Sequence, residues 1–201
     1  MNVAQVLINS VKKFHSKPAI IFSRQKSRDP DFPDKRVGIP SFRESGRDKP
    51  ISFLELYDNV FKLANGLLAL GIKKADRVAI YLPNNPEYIY SYLALFSIGA
   101  TVVPLDYMLT EDELVSCLTH CEAKALIAKE KERLSLENLK KRVPSLENII
   151  ALEGTNSQYQ VFQDVLASGR PLPAQNIKIE ESDHALIMYT SGTTGSPKGI
   201  L

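Results

Sequence analysis

The residues whose types and spacing best suit chemistry are Tyr189-Thr190-Ser191-Gly192-Thr193-Thr194-Gly195-Ser196-Pro197-Lys198-Gly199. Gly192, Gly195 and Gly199 lack the side chains that would keep a ligand away from the backbone. Their N–H groups can turn inward into an anion-binding concavity. Ser191, Thr193 and Thr194 add hydroxyls that can donate to phosphate oxygens or accept from a partner. Lys198 adds a mobile positive charge suited to a polyphosphate. The stretch reads as a loop that holds nucleotide phosphates. It is not a Walker A loop, because Pro197 precedes the lysine and Gly199 follows it. The apolar flanks, Leu186-Ile187-Met188 and Ile200-Leu201, predict strand–loop–strand rather than strand–loop–helix. A plain turn of small polar residues is the competing reading. The Pro-Lys-Gly closure between apolar flanks favours the phosphate loop.

Such a loop needs stiff elements behind it. Val3, Val6, Leu7, Ile8, Val11 and Phe14 recur at helical spacing and predict a helix over 3–15, followed by a short strand at 19–22. Ser52 with Glu55 forms a capping-box pattern, and Gly71 marks a helix stop. Apolar runs predict strands at 77–82, 101–105, 125–128 and 148–152. Helices are expected from Pro86 to Gly99, from Thr110 with Glu113 as its capping partner, near 131–142, and over 161–167. Strands alternating with helices imply an α/β fold of βαβ units, with a largely parallel sheet covered by helices. The expected division is an α/β unit over 1–175 and the start of a second unit over 176–201 that carries the loop. Residues 24–49 mix basic and acidic side chains with Pro30, Pro33, Pro40, Gly38 and Gly46, and read as a flexible insertion.

Composition narrows the functions. A net charge of +2 argues against nucleic acid and leaves membrane contact at most peripheral. Cys117 and Cys121 give no disulfide framework, and with His120 they fall short of the four ligands of a structural zinc site. They read as small side chains on a helix, and free thiols fit a cytoplasmic location. No apolar run is long enough to span a bilayer, and Lys12 and Lys13 follow the first apolar patch, the reverse of a secretory signal. His15 and His184 are expected to be structural, and Tyr81, Tyr88, Tyr90, Tyr92 and Phe96 to pack in the core or between helices rather than form a substrate cage.

Residues 189–199 resemble the signature loop of the adenylate-forming superfamily: acyl-CoA synthetases, luciferases and the adenylation domains of peptide synthetases. Leu82-Pro83-Asn84-Asn85-Pro86-Glu87, the run Ser97 to Asp106, Leu109 to Leu114 and Cys121 to Ile127 resemble the N-terminal core of acyl-CoA synthetases. The insertion at 24–49 departs from that pattern. The resemblance implies that a carboxylate attacks the α-phosphate of ATP and that CoA then takes the acyl group. It implies ATP, Mg²⁺, CoA and a carboxylic acid, fatty in the leading reading, as ligands. Thr190, Ser191, Gly192, Thr193, Thr194, Gly195 and Lys198 would hold the β- and γ-phosphates.

No catalytic residue and no metal ligand is assigned within the chain. The adenine contacts, the magnesium-binding glutamate and the catalytic lysine of the family are expected beyond Leu201. The chain by itself is therefore expected to be inactive in thioester formation and to self-associate through an uncovered sheet edge. Two other readings stay open: an amino- or aryl-acid adenylating domain, and a non-catalytic nucleotide-binding module.

Overall fold

The computed structural model describes residues 3–21, 50–132, 134–154, 159–174, 177–190 and 198–200. The expected insertion at 24–49 lies outside the described residues. Helix α1 (Val3–Phe14) runs into strand β1 (Pro18–Ile20), which pairs antiparallel with β2 (Ile51–Ser52). Ser52 then caps α2 (Phe53–Ala69): its hydroxyl accepts from the Glu55 N–H, and the Glu55 carboxylate accepts from the Ser52 N–H. These reciprocal bonds satisfy donors that a helix start leaves without partners. Leu70 closes the helix, and Gly71 follows at φ +86°, the left-handed conformation expected of the stop.

The alternation then proceeds as β3 (Arg77–Tyr81), α3 (Pro86–Ser97), β4 (Thr101–Pro104), α4 (Glu111–His120), β5 (Ala125–Ala128), α5 (Leu136–Arg142), β6 (Asn148–Ala151), β7 (Gln160–Val161) and α6 (Phe162–Ser168). Five strands form one sheet in the order β4-β3-β5-β6-β7, and every pairing is parallel. The α/β class and the covered parallel sheet are as expected. Val78, Ile80, Val102, Ile127 and Ile150 face α2, α3 and α6, whereas Ala79, Tyr81, Val103, Leu126 and Ala151 face α4 and α5. Alternate residues of each strand thus feed two cores, which is why the strands read as nearly unbroken apolar runs. Helices α2 and α6 approach so closely that a Cβ on Gly66 would stand 2.2 Å from the Val165 carbonyl oxygen.

One expectation needs correction, and one strand goes beyond the expectations. The charged helix placed near 131–142 begins only at Leu136, because Lys131 bridges to Leu134 and Ser135 supplies the N-cap, accepting from the Asn138 N–H. The two-residue strand β7 carries too little periodicity to register in the sequence, and it is held by pairing with Ile150 and Ala151. Among the described residues, no helix is long and apolar enough to cross a membrane.

Candidate functional site

The last described elements are β8 (Met188–Thr190) and β9 (Lys198–Ile200), an antiparallel pair. Met188 faces Ile200, Tyr189 faces Gly199, and Thr190 faces Lys198. The two strands expected of the flanks are therefore present and pair with each other, and residues 191–197 lie outside the described residues. Thr190 is exposed at the mouth of the pair. Ser191, Gly192, Thr193, Thr194 and Gly195 lie outside the described residues, as does the side chain of Lys198.

The stem of this hairpin is stitched to the large sheet. The Thr101 hydroxyl donates to the His184 carbonyl at 2.9 Å. The Val102 N–H donates to the Ala185 carbonyl and the Ile187 N–H to the Val102 carbonyl, each at 2.9 Å. Leu186 thereby bridges the outer edge of β4 in parallel. His184 enters through its backbone, in keeping with a structural role. Asp183 accepts from the Glu180 N–H and pairs with Lys74 at 2.7 Å, which holds its carboxyl below the ordinary aspartate range.

Tyr189 ties the same stem to α4. Its hydroxyl lies 2.7 Å from His120 Nδ1 and donates to the Cys117 carbonyl at 3.1 Å. The two rings meet edge to face, with centroids 5.7 Å apart. A Cβ on Gly199 would come within 3.4 Å of the Tyr189 ring, so β9 lies directly against that ring. Burial, and secondarily the nearby Cys121 and Cys117 thiols, raise the Tyr189 phenol well above its ordinary pKa. Cys117 and Cys121 are buried in the core beneath α4, and burial pushes the Cys117 thiol up to about 11. His120 thus serves the tyrosine. That use was not legible in the sequence, because 69 residues separate the two partners.

A cavity of about 300 Å³ opens at the carboxyl ends of β3 and β4, lined by Leu82, Asn84, Tyr88, Asp106, Tyr107 and Met108 among others. Clefts at strand carboxyl ends are where open α/β sheets usually take ligands. Tyr81 and Tyr90 are buried in the core as expected, while Tyr88 takes part in the cavity wall. Lys131 closes the adjoining turn, donating to the Tyr107 carbonyl at 2.7 Å and the Leu109 carbonyl at 3.1 Å.

The model of the AMP-binding enzyme family matches residues 10–201. The chain is 32% identical over 170 residues to acetyl-coenzyme A synthetase of Methanothrix thermoacetophila, covering 77% of this chain and 26% of that protein. The crystal structure of a long-chain-fatty-acid-CoA ligase from Archaeoglobus fulgidus superimposes with a TM-score of 0.74 at 28% identity, covering 100% of this chain and 36% of that one. The inhibitor-bound N-terminal domain of FACL13 from Mycobacterium tuberculosis shares the fold, with a TM-score of 0.77 at 22% identity over 99% of this chain and 43% of that one. This chain spans roughly a quarter to a third of the length of the curated relatives it matches. An all-parallel sheet carrying a hydroxyl- and glycine-rich hairpin, together with the match over residues 10–201, makes this chain a member of the AMP-binding, adenylate-forming enzyme family, with the fold of its N-terminal portion.

Proposed function

We propose that this chain supplies the triphosphate-binding part of an AMP-forming acid–CoA ligase. The observation that carries the reading is the β8–β9 hairpin, which sets Thr190 opposite Lys198 and so closes the hydroxyl-glycine loop at its two ends. Thr190, Ser191, Gly192, Thr193, Thr194, Gly195 and Lys198 then hold the β- and γ-phosphates. The hydroxyls and backbone N–H groups donate to phosphate oxygens, and the lysine offsets their charge. Mg²⁺ arrives with ATP as part of the substrate, since hard cations of this kind are held largely by phosphate oxygens and water. The unit over 176–201 is read as the start of a second subdomain, supported by its separate two-stranded sheet. A cytoplasmic setting belongs to the same reading.

In the reaction, a carboxylate oxygen bonds to the α-phosphorus as the bond to pyrophosphate breaks. The thiolate of CoA then bonds to the acyl carbon and AMP leaves. The loop acts in the first step by fixing the leaving pyrophosphate in line and stabilising its charge, the main protein contribution to such transfers. The acid is read as an apolar, fatty one, supported by the 28% identity to a long-chain-fatty-acid-CoA ligase. Acetate is the second reading, favoured by the 32% identity to an acetyl-coenzyme A synthetase.

ATP–pyrophosphate exchange by the intact protein with acids from acetate to long-chain fatty acids tests both. Exchange that rises with chain length supports the fatty reading, and exchange with acetate alone supports the second. Lys198→Ala is expected to lower exchange by at least an order of magnitude with either acid. Unaltered exchange in that variant would remove Lys198 from the site.

A further inference from the structure

We infer that His120 and Tyr189 form a latch that positions the stem of the phosphate loop, which makes both of them positioning residues for the triphosphate. The inference rests on the phosphate-loop reading above and adds two residues to it. Tyr189 directly precedes Thr190, the first residue of the proposed phosphate set. Its ring lies between two elements of the molecule. On one side is the C-terminal turn of α4, where His120 and Cys117 meet the hydroxyl. On the other is β9, whose Gly199 lies against the ring. One side chain therefore touches the strand entering the loop, the strand leaving it, and a helix anchored in the main core.

The hydrogen bonds have a direction that follows from proton count. A phenol has one proton to give. Donation to the Cys117 carbonyl at 3.1 Å leaves the oxygen as an acceptor toward His120 Nδ1 at 2.7 Å, so that nitrogen carries the proton. The reverse assignment would set the phenol and carbonyl oxygens against each other with no proton between them. The chain of bonds therefore runs from the imidazole N–H to the phenol to the helix carbonyl. Burial keeps the phenol protonated. Backbone bonds already fix residues 184–187 on β4. Past Ile187 the strand pairs with β9, and the Tyr189 side chain ties it to α4. The latch fixes the direction in which the strand delivers Thr190 to the triphosphate.

Calorimetric titration of the intact protein with Mg·ATP and, separately, with AMP tests this. AMP lacks the phosphates that the loop holds. Tyr189→Phe keeps the ring and deletes only the hydroxyl, and His120→Ala deletes its partner. Each is expected to weaken Mg·ATP binding about 5-fold, the scale of one net hydrogen bond, with AMP binding unchanged. The double variant should bind no more weakly than the weaker single variant, because one chain of bonds is being removed. His120→Asn, whose amide N–H can stand near the place of Nδ1, should recover most of the loss.

Equal weakening of Mg·ATP and AMP would mean a merely structural role and would overturn the inference. So would variants that bind Mg·ATP as the unaltered protein does. Failure of the unaltered protein to bind Mg·ATP would overturn the phosphate-loop reading itself. If Tyr189→Phe does not fold, His120→Ala and His120→Asn decide the matter, because His120 is at the surface.

Discussion

The ammonium of Lys131 stands 5.1 Å from the centroid of the Tyr81 ring, and the two side chains serve the same pair of carbonyls, those of Tyr107 and Leu109: the ammonium donates to both, and the Tyr81 hydroxyl, with one proton to give, lies 3.0 and 2.8 Å from them. Strand β3 and the turn after β5 thus share the task of holding the turn that leads into α4. Burial lowers the Lys131 pKa from its ordinary value. Lys131→Met keeps the apolar stem and removes the donor. The expected loss is about 1–2 kcal/mol, with Tyr81→Phe similar and the double variant more than additive, because only there do the carbonyls lose both donors. Urea unfolding midpoints measure all three, and strict additivity would show that the two donors act independently.

A second prediction concerns the α2–α6 contact. A methyl on Gly66 would stand 2.2 Å from the Val165 carbonyl oxygen, which is backbone and cannot swing aside. Gly66→Ala should favour an isolated helix slightly but force α6 away from α2. Overpacking of this kind costs about 1–3 kcal/mol and outweighs the gain in propensity. A thermal melt of the variant above that of the parent would show that α6 can move at little cost.

The capping box of α4 makes stability depend on acid. Glu113 accepts from the Thr110 N–H and hydroxyl, each at 2.8 Å, and these bonds hold its carboxyl below the ordinary glutamate value. The folded pKa lies below the unfolded one. The contribution is therefore present above the ordinary carboxylate range and is lost as pH falls through the folded value. Glu113→Gln should narrow its stability gap to the parent as the solution is acidified, which guanidinium titrations at neutral and acid pH would show. Thr110→Ala should cost about 1 kcal/mol at neutral pH by removing the cap itself.

Thiol chemistry reports on the α4 core. Cys117 is 1% exposed and Cys121 is 7% exposed, and burial raises both thiols. The thiolate is the reactive form, so both should resist alkylation at mildly alkaline pH in the native protein. Both should react within minutes once guanidinium unfolds the chain. Mass spectrometry of the modified protein counts the events, and rapid native labelling at Cys117 would mean that α4 opens.

Local chemistry was legible residue by residue. The boxes Ser52–Glu55 and Thr110–Glu113 announce two helix starts because a cap is satisfied within three positions of itself. Gly71 announces a stop for the same reason of short range. The apolar strands announce a sheet covered on both faces, because residues pointing either way must be buried. The phosphate-binding proposal for Thr190 to Lys198 comes from the types and order of its hydroxyls, glycines and lysine. The start of α5 is not legible at this range. The charged run 129–133 looks helical, and the bridge from Lys131 to Leu134 that interrupts it depends on packing.

The sequence by itself therefore determined most element types and the α/β class. These depend on neighbours a few positions apart, or on the average burial of each face. Only the tertiary structure decided the strand order β4-β3-β5-β6-β7, the bridging of Leu186 to the edge of β4, and the meeting of His120 with Tyr189. Those pairings join residues from 10 positions apart, as for Ile150 and Gln160, to 84 apart, as for Val102 and Leu186. They arise because burying two helical layers against one twisted sheet leaves few arrangements that satisfy every backbone donor.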